Sequence, residues 1–217
     1  MTQTKEKNGI FITFEGIDGS GKSTQAAKFS DALINSGIES VVVRDPGGPR
    51  VSESIRKVLL DAANSGMSSI TELLLYEAAR AQLVEETIKP ALADGRFVIC
   101  DRFYDSTTAY QGYARQLDLD IVEHANQIGS CGLVPDYTFY IDMKPDKALD
   151  RLTRSKTKQD RMEAEGIRFQ TRVRLGYLDI AKQYPDRFMV VNGDNSVETV
   201  HKEIINAWKY VYEDKKR

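Results

Sequence analysis

The sequence predicts an α/β fold, a five-stranded parallel sheet flanked by helices, on three observations. Five apolar runs of strand length recur along the chain, helix-length segments with recognisable ends separate them, and a glycine-rich stretch joins the first run to the first helix. The runs are "GIFITFE", "ESVVVR", "RFVICD", "YTFYID" and "RFMVVN". Four of the five are nearly continuous rather than alternating, as strands covered by helices on both faces should be. The first helix is expected from about Lys22 to Gly37, where a left-handed cap suits glycine. A long helix is expected to start at Ser69, with Glu72 three residues on completing a capping box, and to run toward Gly95 with a break at Pro90. Pro145 fits a first helical position, and Asn195 or Ser196 can cap the last helix. No linker or repeat divides the chain, so residues 1–217 read as one domain with frayed residues 1–7.

Composition narrows the function classes. A net charge of −2 gives no global attraction for nucleic acid or an anionic membrane, so phosphate binding must come from local basic clusters. No apolar run approaches the ~20 residues a membrane span needs, and "IFITF" is too short for a signal sequence. A cytoplasmic protein is expected. Cys100 and Cys131 with His124 and His201 make neither a disulfide framework nor a zinc site.

The glycine-rich stretch carries chemistry. Gly16, Ile17, Asp18, Gly19, Ser20, Gly21, Lys22 and Ser23, followed by Thr24, satisfy G-x-x-x-x-G-K-[ST] between a predicted strand and a predicted helix. Glycines let successive N–H groups converge on phosphate oxygens, and the helix N-terminus adds its dipole. Lys22 would reach the β- and γ-phosphates of a nucleoside triphosphate, and the Ser23 hydroxyl would ligate Mg²⁺. A ligand-free turn is the alternative, which the combination of strand, spacing and helix disfavours. The guanine-reading N-K-x-D of GTP switches is absent from the sequence, and the chain's size points to phosphoryl transfer onto a small acceptor.

Three more stretches suggest where the acceptor sits. "FVICDRFYDSTTAYQG" puts Asp101 and Arg102 at the end of a core strand, where the Asp can hold the water shell of Mg²⁺ or help orient the acceptor and the Arg can grip a phosphate, or where the two form only a surface ion pair. "LLLYEAARAQLV" sets Tyr76 and Arg80 on one helix face, either to hold a base or as core packing with the arginine at the rim. Between Arg151 and Arg174 eight basic residues face three acidic ones around the polar "SKTKQ". Such a segment is either a solvated helix pair or a lid over about 151–166 that closes on the triphosphate.

Together with "RDPGG" and "QDRMEAEGIRFQTRVRLGYL", these stretches resemble the thymidylate kinase family over about residues 10–210. Gly19 after Asp18, with the basic residues in the lid, is similar to the bacterial type. The resemblance implies the P-loop nucleoside monophosphate kinase fold with a helical lid, transfer of a phosphoryl group from ATP with Mg²⁺ to dTMP in the pathway to dTTP, and a homodimer. It implies that Asp18 bonds the acceptor's 3′-hydroxyl, Arg102 and Arg56 hold its phosphate, and Asp101 lies near the metal. Tyr76 would stack on thymine, Arg80, Ser106 and Thr107 would border the base, and Tyr110 would lie beneath C2′. Arg154 and Arg161 would be the lid arginines. Asp45 stands where the family commonly has Glu, and Pro49 and Arg50 replace its threonine-containing continuation. The alternatives are a deoxynucleoside kinase and a non-enzymatic nucleotide switch.

Overall fold

A computed structural model describes residues 9–154 and 160–214. The expected frayed start and positions 155–159 of the expected lid lie outside the described residues. All five strands form where the apolar runs stand: β1 Phe11–Glu15, β2 Ser40–Arg44, β3 Phe97–Asp101, β4 Tyr137–Asp142 and β5 Phe188–Asn192. They make one sheet of order β2-β3-β1-β4-β5 in which each pairing is parallel. Because β1 is central, every one of its residues is buried, whereas edge strand β2 is half exposed.

The alternation of side chains along β1 divides the core. Ile12 and Phe14 pack with Phe29 of helix α1 (Lys22–Asn35) and with Ile204 and Trp208 of α9 (Val197–Asp214). Phe11 packs on the opposite face against Leu83, Val84 and Phe103, so the polar Thr13 and Glu15 follow it to that side. There Thr13 Oγ1 meets Thr138 Oγ1 at 2.8 Å.

The remaining helices are α2 Arg50–Leu60, α3 Ser69–Leu83, α4 Lys89–Ala93, α5 Tyr104–Thr107, α6 Leu119–Gly129, α7 Pro145–Arg154 and α8 Gly166–Gln183. Helix α1 ends as expected, with Gly37 at φ 77. Ser196 caps α9 by accepting from the Thr199 N–H at 3.2 Å, and Pro145 opens α7. The expected capping box on α3 is corrected. Ser68, not Ser69, is the cap and accepts from Thr71 N–H, while Glu72 turns into the interior and binds arginines. The break expected at Pro90 comes earlier, as a π-helical turn over Val84–Ile88. No described helix is long and apolar enough to cross a membrane.

Candidate functional site

Three strands end in loops at one edge of the sheet, and the site is built from them: the glycine-rich loop after β1, Asp45–Pro49 after β2 and Arg102 after β3. Gly19 and Gly21 show why the loop needs glycine. Gly19 has φ +81 and a Cβ there would lie 2.5 Å from the Ala148 carbonyl, and Gly21 enters the helix at φ +96. Gly19, Gly21, Lys22, Ser23 and Thr24 line a pocket at the start of α1, with Gly16 and Ser20 forming the curl behind them. Arg151 and Leu152 of α7 complete the wall. Arg151 also donates to the Gly193 carbonyl at 3.1 Å, and sequence reasoning had not singled it out.

A second pocket lies beside the first. All eight residues expected around the acceptor line it: Asp18, Arg56, Tyr76, Arg80, Arg102, Ser106, Thr107 and Tyr110. Asp45, Pro46, Leu60, Gln111, Asp160 and Met162 join them. Asp18, in the wall of the acceptor pocket, contacts Lys22 in the wall of the loop pocket. Its Oδ1 takes Arg102 Nη2 at 2.5 Å and Lys22 Nζ at 3.4 Å, and its Oδ2 accepts from the Tyr110 hydroxyl at 3.3 Å. Burial alone would raise the Asp18 carboxyl, but Arg102 and Lys22 outweigh it and hold it well below the usual carboxylate range. Arg102 sits at φ 73, with its guanidinium 5.0 Å from the Tyr110 ring.

The rim position considered for Arg80 is corrected. It is 1% exposed and fully engaged at the pocket wall: Nε on Asp45 at 2.6 Å, Nη1 on Glu77 at 2.5 Å and Nη2 on Thr107 at 2.7 Å. A guanidinium this buried is tolerable only with carboxylates beside it, which explains why Asp45 is buried too. Arg56 donates to the Pro46 carbonyl at 2.8 Å, fixing the loop after β2.

The two lid arginines differ in placement. Arg154 is exposed at the end of α7. Arg161 is buried, with Nε on the Leu59 carbonyl at 2.7 Å and Nη1 on Glu72 at 2.5 Å, and it lines neither pocket. Its neighbours Asp160 and Met162 are the ones that reach the acceptor pocket.

For a metal, Asp101 offers a buried Oδ1 with no hydrogen-bond partner among the described residues, and Ser23 a hydroxyl in the loop pocket. Among the described residues no cluster of three or more His, Cys, Asp or Glu could hold an ion alone. A hard cation that keeps its waters and takes phosphate oxygens fits this sparse donor set.

The sequence profile described as thymidylate kinase matches residues 14–204. The chain belongs to the thymidylate kinase family. It is 47% identical over 205 residues to a thymidylate kinase of Pelodictyon phaeoclathratiforme, covering 90% of this chain and 94% of the relative. It is 48% identical over 199 residues to one of Caldanaerobacter subterraneus, covering 92% and 94%. The crystal structure of thymidylate kinase from Ehrlichia chaffeensis superposes with a TM-score of 0.75 at 36% identity, covering 92% of this chain and 98% of that one. As a thymidylate kinase the chain phosphorylates dTMP to dTDP, with ATP as donor and Mg²⁺ as the metal.

Proposed function

We propose that dTMP occupies the pocket floored by Arg102 while the ATP phosphates lie on the Gly16–Thr24 loop, so that transfer takes place across Asp18. The observation that carries this reading is the Asp18 carboxylate, held by Lys22 from the loop and by Arg102 from the acceptor pocket. The acceptor's own phosphate oxygen is the nucleophile, so no strong general base is needed, and catalysis is alignment and charge neutralisation. Arg102 and Arg56 grip the acceptor phosphate, Asp18 accepts from the 3′-hydroxyl, and Lys22 follows the charge moving toward the β–γ bridge. Tyr76 faces thymine, Arg80, Ser106 and Thr107 border the base, and Tyr110 lies beneath C2′. Ser23 and Asp101 would hold Mg²⁺, which supplies charge stabilisation on the phosphates. From the lid, Arg154 neutralises the transferring group, and Arg161 does so only by leaving Glu72.

Discriminating this from a deoxynucleoside kinase takes ADP-release assays on dTMP, thymidine and other monophosphates, with Arg102→Ala beside the parent. Arg102→Ala should raise the KM for dTMP on the order of 100-fold, because a charged hydrogen-bond partner is lost. Equal use of thymidine and dTMP by the parent would sink the reading of Arg102 as a phosphate grip.

The chain acts as one catalytic unit in the cytoplasm, consistent with the free Cys100 and Cys131. We also assign a homodimer to the outer face of α2, α3 and α6. There Val51, Val58, Ile70, Leu74, Ile121 and Ile128 are all exposed apolar side chains on three helices. A second copy of the same face is the simplest cover. Leu74→Glu should shift the sedimentation coefficient to that of a monomer.

A further inference from the structure

Glu15 ends β1 one residue before the glycine-rich loop, is 0% exposed, and lines neither pocket. A carboxyl so far from water is costly when ionised unless its surroundings compensate. Its Oε1 accepts from the Phe103 N–H at 2.7 Å, at the entry to α5. Its Oε2 lies 2.6 Å from Ser106 Oγ and 2.8 Å from the Tyr177 hydroxyl, and those two hydroxyls are 2.7 Å apart. Three oxygens thus form a triangle with every edge at hydrogen-bond length. Each edge needs one hydrogen, and the two hydroxyls supply only two. The third belongs to the carboxyl, so the closed ring is the arrangement of a protonated Glu15.

Arg102 rests on this ring. Its Nη1 donates to Ser106 Oγ at 3.1 Å and to the Tyr177 hydroxyl at 3.3 Å, while Nη2 turns to Asp18 and Tyr110. We propose that Glu15 is a positioning residue for Arg102, closing as a neutral acid the ring of Ser106 and Tyr177 hydroxyls that sets the guanidinium for the acceptor phosphate. This rests on the reading of Arg102 as the phosphate grip. Losing the proton removes one hydrogen from the ring and puts a full negative charge beside Arg102, where it competes with the phosphate.

The groups facing Glu15 favour the neutral acid below about pH 7. Burial first and Asp105 of α5 second raise its pKa, Arg102 and the two hydroxyls oppose them, and the balance leaves it raised to about 7. Cys100 of β3 and Tyr177 of α8 are uncharged there, their ionisation pushed up by burial. Arg187 faces the same side but is held by Asp105 in two contacts of 2.7 Å.

The test is the dissociation constant of dTMP by calorimetry from about pH 5.5 to about pH 8.5, for the parent, Glu15→Gln, Arg102→Ala and the double variant. The second ionisation of dTMP is common to all four and cancels in ratios. Glutamine mimics the neutral acid, so the parent should bind within about twofold of Glu15→Gln at low pH and about fivefold or more weaker at high pH. The ratio should be flat with Arg102 absent, and kcat should follow Kd only weakly. A flat ratio with Arg102 present, or the same pH dependence without it, overturns the positioning role. Unimpaired dTMP binding by Arg102→Ala overturns the phosphate-grip reading, and the proposal with it. Should Glu15→Gln not fold, Tyr177→Phe opens the ring with the acid in place. It should weaken binding at low pH by about threefold or more, and unchanged binding there overturns the proposal.

Discussion

Lys22 is buried in the loop pocket with Asp18 as its contact, placed to follow charge rather than to hold the fold. Lys22→Ala should therefore lower turnover by several orders of magnitude, roughly 10³-fold, with a cooperative circular dichroism melt showing that the chain stays folded. Turnover within about tenfold of the parent would remove it from the phosphate cradle. Tyr110 tests sugar selection. Its ring lies under the Arg102 guanidinium and its hydroxyl reaches Asp18, so a ring against C2′ leaves no partner for a 2′-hydroxyl. Tyr110→Ala should narrow the gap in kcat/KM between dTMP and its ribose counterpart, whereas Tyr110→Phe, which keeps the ring, should preserve it. Equal discrimination in all three proteins would mean the sugar is read elsewhere. At this scale the sequence was informative where chemistry is local: the loop glycines, Lys22 and the Asp101–Arg102 step lie in short motifs. Arg151 and Met162 were missed because their place at the pockets depends on elements distant in the chain, which spacing does not report, and Gln111 because its neighbour Tyr110 was the residue the motif drew out.

Helix α3 shows how one misread carboxylate organises neighbouring elements. Glu72 receives Arg115 Nε and Nη2 at 3.0 Å each, Gln111 Nε2 at 2.8 Å and Arg161 Nη1 at 2.5 Å. Burial pushes Glu72 up, but these partners outweigh it and hold its pKa below the ordinary value. The S-x-x-E spacing that reads as a cap is indistinguishable, letter by letter, from an inward-facing glutamate one turn into the helix. The strands were legible because continuous apolar runs have few other uses, and Glu72 was not, because its partners lie 39 to 89 positions away. The arrangement separates the two lid arginines. Arg161→Ala strands Leu59 O and part of the Glu72 charge, so it should cost about 1–3 kcal/mol in denaturant unfolding. Arg154→Ala, at an exposed position, should leave stability unchanged and lower kcat more than it raises the KM for dTMP. A loss of kcat without loss of stability in Arg161→Ala would show that its guanidinium does leave Glu72 during turnover.

For the whole molecule, two carboxyls three residues apart pull the pH dependence of stability in opposite directions. Asp18, held below its ordinary value, contributes stability that is present above the unfolded pKa and is lost as acid protonates it. Glu15 is raised from 4.5 to about 7, so the folded chain keeps a proton that the unfolded chain releases across that window. Its contribution is therefore fully present below about pH 4.5, falls as pH rises, and levels off above about pH 7. A shift of this size corresponds to on the order of 3 kcal/mol. Other buried acids with raised values, Asp45 and Glu77, slope the same way but are common to the parent and a Glu15 variant. Urea unfolding of the parent and of Glu15→Gln at matched pH isolates the one group. The parent should lose roughly 3 kcal/mol relative to Glu15→Gln between about pH 4.5 and pH 7.5, with most of the difference gained by pH 7. Parallel stability curves for the two proteins would mean that Glu15 is ionised in the folded chain throughout, and the neutral ring under Arg102 would fall with it.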